Sequence, residues 1–181
     1  MTRASLLWID LEMTGLDPIK DKILEVAAIA TDWNFVEVAR YQAAVKVSPD
    51  FAKQRMVGEF WKQNSTVRDA LIEQNQTDGR SAETIENELL DFIKQNFNMK
   101  RPIYLAGNSI WNDRRFMERE WPRLNAKLHY RMLDVSSFKI VFENIFNQKF
   151  TKPDLHRAID DIEGSIDELK IYLNKVKNAK S

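Results

Sequence analysis

Apolar and polar positions are laid out in two ways along this chain, and the change comes near residue 50. The stretch "SLLWIDLE" is an apolar run that turns acidic at its end, and it predicts a buried strand. "KILEVAAIATD", residues 22–32, predicts a second strand, and "RYQAAVKVS" a third with alternating character. Between the first two, "TGLDP" carries Gly15 and Pro18 and predicts a turn. Three strands in a row with short connections predict an antiparallel meander.

Beyond that point helical spacing takes over. Residues 50–80 are polar and lean to helix. "SAETIENELLDFIKQNF" opens on a Ser suited to an N-cap and repeats Ile85, Leu89, Phe92 and Ile93 at helical spacing. "RPIYLAGNS" predicts a short strand ending in Gly107 and Asn108, and "NDRRFMEREW" a helix stopped by Pro122. "YRMLDVS" predicts another strand, followed by the helical "SFKIVFENIF". Over residues 156–176, Ile159, Ile162, Ile166, Leu169, Leu173 and Val176 form a stripe that predicts a long helix docked on the sheet. Strands first antiparallel and then alternating with helices make a mixed α/β layer fold. No repeat or linker interrupts it, so one domain over 1–181 is expected. Trp8, Trp33, Trp111 and Trp121 sit at strand and helix positions, where aromatic residues are mostly core.

Composition narrows the function classes. An apolar fraction of 44% and a charged fraction of 30% over 181 residues are those of an ordinary soluble globular protein. No apolar run is long enough for a membrane span, and "MTRASLLWIDLE" is too short and too soon acidic for a secretory signal. The chain has no cysteine, which excludes a disulfide framework and thiolate metal sites and fits a cytoplasmic location. Lys and Arg total 27, as do Asp and Glu, so the net charge is zero. Proteins that grip long nucleic acid usually carry a basic excess, so a long polyanion is not the expected partner. A short anionic substrate, or one held through a metal, remains open.

The chemistry-bearing residues are acids placed at the ends of elements. Asp10 and Glu12 lie two apart on a strand and point to one side. Asp113 follows "YLAGNSIWN", and Asp160 or Asp161 falls in the last helix, four or five positions after His156. Carboxylate pairs repel each other, and a hard divalent cation removes that repulsion. Two such ions ~3.5–4 Å apart clamp the attacking and leaving oxygens of a phosphodiester displacement, while an imidazole takes the proton of the attacking water. Each piece alone has an ordinary structural reading. Asp113 suits a helix start, His156 suits a first turn capped by Asp154, and Asp160 with Asp161 suits a solvated face. Spacing leaves the choice between Asp160 and Asp161 open.

Taken in order, "DLEMTGLD", "GNSIWNDRRF", "HYRMLDVSS" and "HRAIDDI" make the chain resemble the oligoribonuclease family. That family is the small-substrate branch of the DEDD exonuclease superfamily, in the subclass with a histidine base. The likeness runs from about Leu6 to about Leu173. It implies a ribonuclease-H-like mixed sheet flanked by helices, and 3′→5′ hydrolysis of very short RNA, dinucleotides above all, to 5′-mononucleotides. Asp10, Glu12, Asp113 and Asp161 would hold two divalent ions, Mg²⁺ or Mn²⁺, with His156 as general base. The family spacing of four residues between His and Asp selects Asp161.

The resemblance also implies a substrate grip. Leu16 would wedge between two bases and Trp61 would stack on one. Ser109, Arg131, Ser136 and Ser137 would close around a 5′-terminal phosphate, to which guanidinium and hydroxyl donors are suited. In the family's homodimer, Tyr130 and Arg131 would reach the partner's site. One departure bears on base stacking: many family members carry a histidine about five positions after the tryptophan, whereas this chain has Ser65 and Thr66 there. The rival readings are an exonuclease of the same superfamily acting on longer RNA or DNA ends, and a catalytically silent binding module. The second usually lacks one or more of the acids, all of which this chain keeps.

Overall fold

The first apolar run becomes β1 (Leu6–Met13), the middle strand of a five-stranded sheet. β2 (Ile23–Thr31) pairs antiparallel with β1, and β3 (Glu37–Ala44) pairs antiparallel with β2, which is the expected meander. On the other side β4 (Tyr104–Gly107) and β5 (Met132–Asp134) run parallel to β1, so the order is β3-β2-β1-β4-β5. The computed structural model describes residues 3–150 and 157–178.

Helices cover both faces. The polar stretch after β3 folds as α1 (Pro49–Arg55), α2 (Glu59–Gln63) and α3 (Ser65–Thr77). α4 (Ala82–Asn96) starts where its sequence predicts, with the Ser81 hydroxyl accepting the Thr84 N–H at 3.1 Å. α5 (Trp111–Glu120) stops before Pro122, which then opens α6 (Pro122–Asn125) at the first position, where its missing N–H costs no hydrogen bond. α7 (Val135–Ile145) and α8 (Ala158–Asn178) complete the order.

The period-two alternation of β1 decides what each face carries. Leu7, Ile9 and Leu11 pack with Ile85, Leu89 and Ile93 of α4 and with Phe116 and Met117 of α5. Leu6 and Trp8 pack on the opposite face with Phe142 of α7 and Ile162, Ile166 and Leu169 of α8. Continued past Trp8, the same alternation puts Asp10 and Glu12 on the α8 face. A smaller cluster of Ala52, Met56, Trp61, Leu71 and Ile72 packs α1, α2 and α3 on Leu24 of β2.

Three sequence expectations need correction. Trp8 and Trp121 are fully buried, but Trp33 and Trp111 are exposed. Trp33 lies in the turn after β2 with its ring 5.7 Å from that of Tyr104, and Trp111 opens α5 with Arg115 over its ring. Val176, placed in the docking stripe, is also exposed, because Tyr172 makes the last fully buried contact of α8.

Candidate metal centre and substrate cleft

β1, β4 and β5 run parallel, so their carboxyl ends open at one edge of the sheet. That edge collects the candidate chemistry. Asp10, Glu12 and Asp161 each offer a carboxylate oxygen, and these oxygens all lie within 4.8 Å of one another. The first two come from the even positions of β1, and the third from the first turn of α8 facing them. Asp160, one residue earlier, is exposed and lies outside this group.

Asp113 reaches the same strand by another route. Past the Trp8–Ala106 pairing, β1 has no further strand partner on its β4 side among the described residues. Asp113, buried in the first turn of α5, fills that place: its Oδ1 accepts the N–H of Leu11, the residue between Asp10 and Glu12, at 3.0 Å. His156 lies outside the described residues, and so does Asp154.

The electrostatics of this edge are those of an acidic site. Burial, followed by the charges of Asp161, Glu25 and Asp113, pushes the Glu12 carboxyl up from 4.5 to about 8, against the lowering effect of Arg157. Burial, with the charge of Asp134, raises Asp113 from 3.8 to about 7, against the hydrogen bond from Leu11. Hard oxygen donors this close, at a cost to their own ionisation, fit a divalent cation of the Mg²⁺ or Mn²⁺ type.

A cavity of about 290 Å³ adjoins the acids. It is lined by Leu11, Glu12, Met13, Gly15, Leu16, Phe60 and Trp61. Leu16 is exposed at its mouth, whereas Trp61 forms its inner wall and is only 7% exposed. The Phe60 ring stands edge-on to Trp61, with centroids 4.9 Å apart. Asp21 shapes the loop that carries Leu16. Its carboxylate accepts from the Thr14 hydroxyl, the Asp17 N–H and Arg55 Nε of α1, all within 3.0 Å. A Cβ on Gly15 would lie 2.5 Å from Asp21 Oδ2, so the approach of the loop to Asp21 needs glycine there.

Ser109 and Ser136 meet beyond the ends of β4 and β5, with their hydroxyls 3.1 Å apart. Their backbone N–H groups both donate to Asp134 Oδ1, which caps α7. Ser109 is held with φ at 47°, a left-handed conformation uncommon for a residue with a side chain. Asn108 joins this group to α8: its Oδ1 accepts from the Ser136 hydroxyl, and its Nδ2 donates to the Ser165 hydroxyl, which in turn donates to the Asp161 carbonyl. Ser137 is exposed in the first turn of α7. Tyr130 and Arg131 are exposed, with the Arg131 guanidinium 5.2 Å from the Tyr130 ring centre. Arg114 Nη1 donates to the carbonyls of His129 and Tyr130 and so fixes the turn that presents them.

Several of these residues escaped the sequence reading. Phe60 was visible as an aromatic residue beside Trp61. Asp21 and Asn108 look like ordinary turn residues until their partners are known. Glu25 left a clearer trace: it is the one charge inside the apolar body of "KILEVAAIATD", and it is fully buried, directly opposite Glu12 on β2.

Comparison with known proteins bears on this arrangement. The exonuclease family model RNase_T matches residues 7–169. An oligoribonuclease of Francisella tularensis subsp. tularensis (strain WY96-3418) is 38% identical over 173 residues, which are 95% of this chain and 96% of that protein. The oligoribonuclease of Thiobacillus denitrificans (strain ATCC 25259 / T1) is 38% identical over 170 residues, 92% of each chain. Among solved structures, an E. coli exonuclease I–single-stranded DNA complex in its zinc-bound form aligns with a TM-score of 0.67 at 12% identity, over 96% of this chain and 41% of that one. Exonuclease I from Methylocaldum szegediense aligns with a TM-score of 0.62 at 15% identity, over 91% and 39%. These structural likenesses are of fold, the ribonuclease-H-like mixed sheet, and this chain spans about two fifths of those longer proteins.

Proposed function

We propose, for a chain that belongs to the oligoribonuclease family of 3′→5′ exoribonucleases, that its substrates are the shortest RNA fragments, dinucleotides foremost. The observation that carries this reading is the gathering of Asp10, Glu12 and Asp161 beside an apolar cavity only about 290 Å³ in volume. The family's use of a divalent metal agrees with that acidic cluster. In this reading two ions, Mg²⁺ or Mn²⁺, are held by Asp10, Glu12, Asp113 and Asp161. When bound they supply charge stabilisation to the attacking and leaving oxygens.

The chain's own groups do the rest. His156 takes a proton from the attacking water as its oxygen bonds to phosphorus, the bond from phosphorus to the 3′-oxygen breaks, and that oxygen is protonated from solvent. Leu16 and Trp61 hold the bases at the cavity. Because Asp134 already takes the N–H groups of Ser109 and Ser136, a 5′-phosphate is left with their hydroxyls, that of Ser137 and the Arg131 guanidinium. A closed 5′ end of this kind measures substrate length. Tyr130 and Arg131 stand out from the surface, as they would in a homodimer where each protomer reaches the other's site. Among the described residues no helix is long and apolar enough to cross a membrane, and a cytoplasmic location fits the cysteine-free sequence.

The test is turnover of a 5′-phosphorylated RNA dinucleotide beside a ten-nucleotide RNA, with Mn²⁺ and then with chelator. Metal-dependent conversion of the dinucleotide, much faster than that of the longer chain, is expected. Arg131→Ala should then cost the dinucleotide roughly 10- to 100-fold in kcat/KM, the worth of a charge-assisted contact, and the longer chain far less. Equal or faster use of the longer chain would remove the length ruler. No hydrolysis of either would leave only a binding module.

Phe60 extends the base contact. Stacking on an aromatic ring contributes ~1–3 kcal/mol per base, so Phe60→Ala should raise KM for the dinucleotide roughly 5- to 150-fold with little change in kcat. Steady-state kinetics of the two variants check this, and an unchanged KM would exclude Phe60 from the subsite.

A further inference from the structure

Beside the acidic cluster lies a charged pair, a buried acid and a half-buried base, that the mechanism above does not use. Glu25 is fully buried on β2, and its Oε1 accepts from Arg157 Nη2 at 3.0 Å and from Gln42 Nε2 of β3 at 2.6 Å. Arg157 Nη2 also donates to Gln74 Oε1 of α3 at 2.9 Å. Among the described residues, Glu25 Oε2 and Arg157 Nε are buried without a hydrogen-bond partner. Glu25 is a buried acid whose partner Arg157 is only half-buried, and each keeps one buried polar atom without a partner, an arrangement costly to maintain where an apolar side chain would pack. Packing alone therefore gives no reason for it.

The backbone supplies the reason. Arg157 stands immediately before α8, and its carbonyl accepts the N–H of Asp161 at 3.1 Å, the hydrogen bond that closes the first turn. Wherever the Arg157 side chain is tethered, the rotation of that turn follows, and with it the direction of the Asp161 side chain. Glu25 sits directly across the strand pair from Glu12, so the tether point and the metal-facing acid belong to one rigid register.

We propose that Glu25 is a positioning residue: through Arg157 it sets the first turn of α8 and holds Asp161 against Asp10 and Glu12. Arg157 also brings a positive charge under a group of acids, which lets them stand together before a cation arrives. The proposal rests on the reading of Asp10, Glu12 and Asp161 as metal acids.

Glu25→Gln keeps the shape of the side chain and removes the charge that holds Arg157. Residues that orient metal ligands typically contribute 10–100-fold in metal affinity or activity. Mn²⁺ affinity, measured by calorimetry on the full chain without RNA, should fall by about that factor. On the dinucleotide at saturating Mn²⁺, kcat should fall while KM stays unchanged. Gln74→Ala, which removes one tether of Arg157 without touching a charge, should move both quantities the same way by a smaller factor and keeps the test open if Glu25→Gln does not fold. Leu169→Ala, a core change in α8, serves as a variant of lowered melting temperature with wild-type Mn²⁺ affinity. Should Glu25→Gln and Gln74→Ala behave like Leu169→Ala, losing stability but keeping Mn²⁺ affinity and kcat, the pair is structural and the proposal is overturned. Failure of the wild-type chain to bind Mn²⁺ at all would instead overturn the metal-acid reading itself.

Discussion

Asp161→Asn is expected to lower turnover of the dinucleotide by more than ~10³-fold, whereas Asp160→Asn leaves it close to wild type. The contrast follows from geometry. Asp161 brings an oxygen within 4.8 Å of those of Asp10 and Glu12, and its neutral amide neither cancels nor attracts cationic charge as the carboxylate does. Metal-ion stabilisation is worth several kcal/mol of the barrier, and each 1.4 kcal/mol is about tenfold in rate. Asp160 faces solvent and lies outside the cluster. The two variants carry the same charge change one residue apart, so any general effect of lost negative charge cancels between them. Steady-state rates at saturating Mn²⁺ decide it. Equal losses in the two, or none in Asp161→Asn, would refute the assignment of Asp161.

A second large effect is expected in stability without metal. Glu12 is raised to about 8, by burial first and then by the charges of Asp161, Glu25 and Asp113, and Asp113 is raised to about 7, mainly by burial. In the unfolded chain both carboxyls ionise near pH 4. Between about pH 4 and pH 8 the folded chain therefore holds protons that the unfolded chain has lost. For groups raised in this way, the stability they contribute is full below the unfolded value and is lost as pH rises through the folded one. The melting temperature of the metal-free chain should accordingly fall from pH 5 to pH 8.5. Added Mn²⁺ must displace the same protons, so its stabilising effect should grow over that range. Glu12→Gln removes one titrating group and should flatten the metal-free slope. Thermal scans in chelator and in Mn²⁺ across the range provide the check, and a metal-free melting temperature that rises with pH would contradict the ionisation pattern.

How much of this was legible beforehand depends on whether a residue's role is written in local spacing. The strand alternation of "SLLWIDLE" already placed Asp10 and Glu12 on one side, and the Ser81 cap marked the start of α4. The stripe of α8 predicted its docking as far as Leu173, but local periodicity carries no information on where a helix outruns its sheet, so Val176 was misplaced. Trp33 and Trp111 show the same limit, since hydrophobicity does not tell a turn or a helix start from a buried position. The chain's own periodicity left Asp160 and Asp161 equivalent and the family resemblance selected Asp161; the facing of the first turn of α8 toward β1 supplies the physical reason. Glu25, Arg157, Asp21 and Asn108 work through partners far away in the chain, which no window of neighbouring residues contains.

The placement of the candidate acids on β1, α5 and α8 also sets when, during folding, they come together. A chain emerging from the ribosome N-terminus first completes the β1–β2–β3 meander early, because its pairings are local. At that stage it displays Asp10 and Glu12 but has neither Asp113 nor Asp161, and β1 has not gained its parallel neighbour β4. The cluster closes only when α8, the last element, packs back on the first strand. The meeting of these acids is thus a property of the assembled fold, and no fragment that stops short of α8 holds all four.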